Sequence, residues 1–132
     1  MNKEVFVVAA YVKYKNTFLI ARRVKGDEGA EGKWEFPGGK IETNETKFQS
    51  IKREIKEEFN MDIEPIKEHI THTTKYPTRD ITITLIECLA DNKKLDMNIK
   101  DHSEYKWISI EELDNYEFAK GDKAFIEYLK QL

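Results

Sequence analysis

Cysteine occurs once in the 132 residues, at Cys88, so no disulfide can form within the chain and a reducing compartment, the cytoplasm, is expected. Charge of one sign is also scarce in net terms: 22 Lys and Arg stand against 25 Asp and Glu, leaving −3. Such a balance exerts no long-range pull on duplex nucleic acid or an anionic membrane, so neither a nucleic-acid polymer nor a membrane is an expected partner. No apolar run approaches the roughly 18 residues of a spanning helix. Val5 to Val12 is apolar but short, lies between Glu4 and Lys13 and lacks a cleavage site, and so reads as a strand and not a signal peptide. Internal repeats, low-complexity segments and linkers are missing too. What is present is 39% hydrophobic and 11% aromatic residues in 15.6 kDa, too much for a disordered tail. Residues 1–132 are read as one domain, able to bury roughly two-thirds of its unfolded surface.

Two β-rich runs, 4–14 and 17–23, flank Lys15-Asn16, which suits a tight hairpin. Residues 25–33 hold three glycines among charges and read as a mobile loop, and 34–43 read as turn-rich around Pro37, Gly38 and Gly39. Residues 44–59 are strong helix formers, in which Phe48, Ile51, Ile55 and Phe59 form one apolar stripe. Thr43 or Asn44 is the expected cap at its start, and Asn60 the left-handed cap at its end. Residues 66–74, 80–89 and 104–109 read as strands, Ser109 and Glu112 as a capping box for a short helix, and 122–131 as an amphipathic helix. The order predicts an α+β (mixed α/β) fold, a mixed sheet with helices packed on its faces.

The densest chemistry lies in Arg53-Glu54-Ile55-Lys56-Glu57-Glu58. At about 100° per residue, Glu57 and Glu58 sit roughly −60° and +40° from Glu54, so three carboxylates share one arc of the helix. Like charges at this spacing repel by a few tenths of a kcal/mol per pair. A hard divalent cation removes that cost, and glutamate oxygens suit Mg²⁺ or Mn²⁺. The plainer reading is a solvated charged face. The Gly38-Gly39 pair before the helix favours the ion, because glycines let the backbone approach an ion or phosphate closely. His69, His72 and His102 show no ligand spacing, so no zinc site is expected, and Cys88 reads as a small core residue.

Gly39, Glu45 and the run Arg53-Glu54-Ile55-Lys56-Glu57-Glu58-Phe59-Asn60-Met61 resemble the Nudix box, G-x5-E-x7-R-E-U-x-E-E-x-G-U, with U a bulky apolar residue. One fixed position departs from it: Asn60 replaces a glycine, a change that leaves every catalytic group in place. Trp34 to Glu42, Ala21-Arg22-Arg23, Tyr76 to Thr82 and Phe118 to Lys123 are similar to the MutT-type branch of that family, so the resemblance covers most of the chain. It implies a Nudix fold, with the mixed sheet sandwiched between helices. It also implies Mg²⁺-dependent hydrolysis of (deoxy)nucleoside triphosphates to the monophosphate and pyrophosphate, with Mn²⁺ a possible substitute. Hydrolysis of another nucleoside diphosphate derivative such as ADP-ribose, or a non-catalytic nucleotide-binding module, are the alternatives. A nucleotide is the implied partner, and the protein is taken as a monomer or homodimer.

Carried over by position, the resemblance makes Glu54, Glu57 and Glu58 metal ligands, with the Gly39 or Gly38 carbonyl as a further one. Arg53 and Glu45 become a bracing salt bridge. Asp101 is a further acidic ligand by its distance from Trp107, or else a surface turn residue. Glu54 is the first choice of general base, with Glu57 and Glu58 as alternatives. Arg22, Arg23 or Lys40 are candidates to meet the phosphates. The nucleobase slot falls to Arg23, Phe36, Tyr76, Arg79 and Asp122. Phe36 and Tyr76 read equally as stacking faces or ordinary packing aromatics, and Asp122 as a base reader or the N-cap of the last helix. Within the family, the enzyme that removes oxidised dGTP has asparagine at the position of Asp122, and relatives acting on cytidine nucleotides have aspartate. Both substrates therefore stay open.

Overall fold

The computed structural model describes residues 2–24 and 31–132. Of the expected loop 25–33, residues 25–30 lie outside the described residues. Strands β1 (Lys3–Tyr14) and β2 (Thr17–Arg23) form the expected hairpin, with Lys15 at φ 54 taking the left-handed turn position. β3 (Trp34–Glu35) and β4 (Gly38–Lys40) follow, then helix α1 (Lys47–Phe59), β5 (Glu64–Lys75), β6 (Arg79–Leu89), β7 (His102–Ile108), a 3₁₀ turn at Ile110–Asn115 and helix α2 (Lys123–Lys130). The sheet runs β3-β2-β1-β6-β5, with β4 paired to β1 and β7 to β2. β1 and β6 are parallel from Lys3↔Arg79 to Lys13↔Leu89, and the other pairs are antiparallel, so the sheet is mixed.

The pleat explains the two cores. Val8, Ala10 and Val12 of β1 point to one face, where Ile51, Ile55 and Phe59 of α1 cover them. Ala9 and Tyr11 point to the other, against Phe125, Ile126 and Leu129 of α2. The helices thus sandwich the sheet. Ile51, Ile55 and Phe59 are fully buried, and each contributes roughly 1.5–3 kcal/mol, which fixes the rotation of α1 and with it the direction of its carboxylates.

Several expectations need correction. Phe48 is not part of the buried stripe; it is 37% exposed, and Ser50 and Glu58 are buried on α1 instead. The helix starts later than expected, capped by Thr46 in a box with Gln49, because Asn44 is occupied in a left-handed turn at φ 67. Asn60 takes the expected left-handed end at φ 51. The turn-rich stretch 34–43 contains two short strands, too brief for a period to show. Gly38 lies opposite Ala9, and a Cβ there would sit 1.9 Å from the Val8 carbonyl oxygen, so only glycine lets β4 pair with β1. Ser109 and Glu112 do form a capping box, but on a 3₁₀ turn. No helix is long and apolar enough to cross a membrane among the described residues.

Candidate active site

The loop between β4 and α1 is closed by charge. Arg53 reaches back from α1 and donates through Nε and one terminal nitrogen to both oxygens of Glu45, at 2.6 and 2.9 Å. It also donates to the Lys40 carbonyl at 3.1 Å, to Glu54 at 2.9 Å and to Glu57 at 3.1 Å. Glu45 in turn accepts from the Glu42 backbone N–H at 2.9 Å. Hydrogen bonds from Arg53 first, then from Glu42, pull the Glu45 carboxyl down to about 2, and Glu45 raises the Arg53 guanidinium above its usual range. This fork holds the strand-to-helix turn. Gly39 lies against the Glu54 side chain: a Cβ there would come within 2.5 Å of that carboxylate.

Beyond the fork the charges no longer cancel. Glu57 is 58% exposed along its side chain at the cleft edge. Glu58 is 7% exposed. Burial first, then the hydrogen bond with Glu54 and the charges of Glu35, Glu54 and Asp101, push its carboxyl up to about 10. Its Oε2 is buried without a hydrogen-bond partner among the described residues. A buried acceptor costs about 1–3 kcal/mol when unsatisfied, more if charged. Hard carboxylate oxygens facing one another, one of them orphaned, fit a divalent cation such as Mg²⁺ or Mn²⁺. Asp101 comes to the same place on the segment between β6 and β7. That segment is tied to the end of α1, where the Asp96 and Asn98 amides donate to the Phe59 and Glu58 carbonyls at 2.8 and 2.7 Å.

The cleft extends about 1060 Å³ from these carboxylates across the sheet. Gly38, Gly39 and Lys40 line it beside Glu54, Glu57, Glu58 and Asp101 at one end; Arg23, Tyr76, Arg79 and Asp122 line the other. Arg53 and Glu45 stand behind its wall. Arg22 is turned away, paired with Glu104 at 3.0 Å and the Gly32 carbonyl at 3.0 Å. Phe36 reaches the cleft, but it is 2% exposed and stacked between Phe18 and Phe118, so its ring is spent on the core and offers no free face for a base. Tyr76 is half-buried, with the Arg79 guanidinium 6.0 Å and the Lys120 ammonium 5.0 Å from its ring. Asp122 makes no side-chain cap for α2; its Oδ1 accepts from the Phe36 N–H at 3.4 Å. It is 5% exposed, and burial, followed by the charge of Glu35, raises its carboxyl well above the usual range. The segment carrying it is drawn to β3 by Trp34 N–H to Glu117 O at 2.9 Å and Ala119 N–H to Trp34 O at 2.8 Å.

Glu35 and His102 escaped sequence reasoning. Glu35 bonds Arg23 at 3.0 Å and His102 at 2.7 Å, and His102 Nδ1 lies 3.6 Å from Glu58. Glu35, Glu58 and His102 form a group of potential ligand atoms within 4.8 Å of one another. Spacing among the histidines could not show this, since the partners of His102 are glutamates far away in the chain. Cys88 is buried in the core, its thiol pushed up to about 12 by burial and then by Glu87.

The chain is similar to known proteins. The family described as NUDIX domain matches residues 7–128. An 8-oxo-dGTP diphosphatase of Proteus vulgaris is 39% identical over 64% of this chain and 76% of its own. A CTP pyrophosphohydrolase of Escherichia coli is 29% identical over 95% of this chain and 90% of its own. Among solved structures, the MutT protein of Methanosarcina mazei superposes with a TM-score of 0.86 over 98% of this chain and 95% of that one, at 22% identity.

Proposed function

Because the chain belongs to the Nudix family of nucleotide pyrophosphohydrolases, we propose that residues 1–132 act as one Mg²⁺-dependent domain that sanitises the nucleotide pool. Its reaction would convert a (deoxy)nucleoside triphosphate to the monophosphate and pyrophosphate, with Mn²⁺ as substitute. The observation that carries the proposal is the buried Glu58 carboxyl, orphaned at Oε2 beside Glu54 in the cleft. Glu54, Glu57 and Glu58 hold the cation, with a backbone carbonyl of Gly39 or Gly38 and Asp101 as further oxygen ligands. When bound, the cation neutralises the polyphosphate and lowers the pKa of a water.

The chain does the rest by placement. Arg53 and Glu45 hold the loop so that Gly39 faces Glu54. Glu54 accepts the proton of the attacking water, the bridging bond between α and β phosphates breaks, and pyrophosphate leaves with the electron pair. Lys40 and Arg23 offer positive charge along the cleft. Tyr76 is the stacking face, and Arg79 lies beside it.

Asp122 supports a base with a donor beside an acceptor. Burial raises its carboxyl well above the usual range and so favours the protonated form, which donates one hydrogen bond and accepts another. Cytosine presents an amine next to a ring acceptor, and an oxidised guanine presents a ring N–H next to a carbonyl. Unmodified guanine offers only acceptors on that edge. The relatives named for 8-oxo-dGTP and CTP fit both choices. The test is a competition assay in a mixed triphosphate pool that includes oxidised and methylated bases, with and without Mg²⁺. Mg²⁺-dependent pyrophosphate release is expected. Release of orthophosphate, or no turnover by a folded sample, overturns the reaction.

A further inference from the structure

The two ends of the cleft are joined by a single line of side chains. Arg23 donates to Glu35 Oε1 at 3.0 Å, Glu35 Oε2 meets His102 Nε2 at 2.7 Å, and His102 Nδ1 faces Glu58 Oε1 at 3.6 Å. His102 is 1% exposed, and its ring stacks on Phe59 of α1 at 5.3 Å. Among the described residues its Nδ1 is buried without a hydrogen bond, as is Oε2 of Glu58. The backbone fixes this ring as firmly as the packing does. β7 begins at His102, opposite Arg23, at a register shift between Arg22 and Arg23. The Val24 amide donates to the Asp101 carbonyl at 3.1 Å just before it.

We propose that His102 is a positioning residue with two jobs, one toward recognition of the base and one toward capture of the cation. One ring nitrogen orients Glu35, and through it Arg23; the other borders Glu58 and limits where that carboxylate can point. The proposal rests on the functional reading above. The two ring nitrogens of His102 lie on separate edges, so one meets Glu35 at 2.7 Å while the other faces Glu58 at 3.6 Å. Among the described residues His102 is the hydrogen-bond partner of the second Glu35 oxygen, and Glu58 Oε1 lies 3.6 Å from the other ring nitrogen. Outer partners of metal ligands commonly change affinity on the order of 10-fold when lost.

Two amide variants separate the two jobs. His102→Gln keeps a donor near the Nε2 position and removes the atom beside Glu58. His102→Asn keeps an atom near Nδ1 and removes the bond to Glu35. Mn²⁺ affinity is read by electron paramagnetic resonance of the free ion, and affinities for nucleoside monophosphates of different bases by calorimetry. His102→Gln is expected to weaken Mn²⁺ binding on the order of 10-fold with base preference kept. His102→Asn is expected to flatten base preference with Mn²⁺ binding close to that of the unaltered protein. The two variants behaving alike, or both keeping Mn²⁺ affinity and base preference while only the melting midpoint falls, overturns the double role and leaves His102 a packing residue. Neither readout needs turnover. An unaltered protein that releases no pyrophosphate while the variants split as described defeats the reaction and keeps the double role. Full turnover with no split defeats the double role alone.

Discussion

The two charged clusters on α1 are one turn apart and obey opposite rules. Around Arg53 the signs are mixed: Glu45, Glu54 and Glu57 all accept from one guanidinium, so each carboxylate faces an opposite charge. Around Glu58 the signs repeat, with Glu54, Glu35 and Asp101 all raising the same buried carboxyl. The first cluster closes a loop and favours folding. The second opposes folding until a cation or proton arrives, and that is the property a cation site requires. Stability and function are thus separated along the helix by a few residues.

The strongest way to expose this contrast is Glu58→Gln. It removes the carboxyl whose burial is costly, so the metal-free protein should melt higher at neutral pH, while pyrophosphate release falls by more than about 100-fold. The effect has a direction in pH. The folded carboxyl titrates at about 10 against 4.5 for an ordinary glutamate, so between these values the unfolded chain ionises first. The advantage of the variant grows as pH rises through that window. A metal-free midpoint below that of the unaltered protein contradicts the contrast.

Glu45→Gln attacks the other cluster and should give a smaller loss of turnover, on the order of 10-fold, with a lower melting midpoint. Its pH dependence has the opposite sign. Glu45 is depressed to about 2 from 4.5, so its contribution is complete above about 4.5 and disappears as pH falls toward 2. Melting both proteins across that range should show their midpoints converging at the acid end. Asp122→Asn should change the ratio of base preferences on the order of 10-fold with little change in the hydrolysis of the preferred triphosphate. An unaltered ranking across bases would reduce Asp122 to a support for the Phe36 amide. Phe48→Ser, on the same helix but facing outward, should shift stability by less than about 0.5 kcal/mol in denaturant melts.

Much of the scaffold could be read locally. Asn60 at the end of α1 and the Lys15-Asn16 turn depend on near neighbours, and each appears where its pattern says. The box carboxylates share a face because helical geometry leaves them no alternative. Errors arose where a distant partner decided. Phe48 fits the spacing of the stripe, yet the sheet covers only the part of α1 that includes Ile51, Ile55 and Phe59. β3 and β4 exist because β2 and β1 offer hydrogen bonds, not because two or three residues prefer to be extended. Phe36 reads equally as a stacking face or a packing aromatic, and its neighbours Phe18 and Phe118 draw its ring into the core.

The chain's own order of residues determined the acidic ridge, the glycine pair before it, and the family to which both belong, since helix pitch and turn chemistry act over a few positions. Folding decided which glutamate is buried and which is solvated, that Asp122 faces the Phe36 amide, and that Glu35 and His102 stand between the two ends of the cleft. Residues 35 and 102 are brought together by strand pairing on both edges of β2, and side chains separated by that much sequence acquire their chemistry only from the neighbours the sheet supplies.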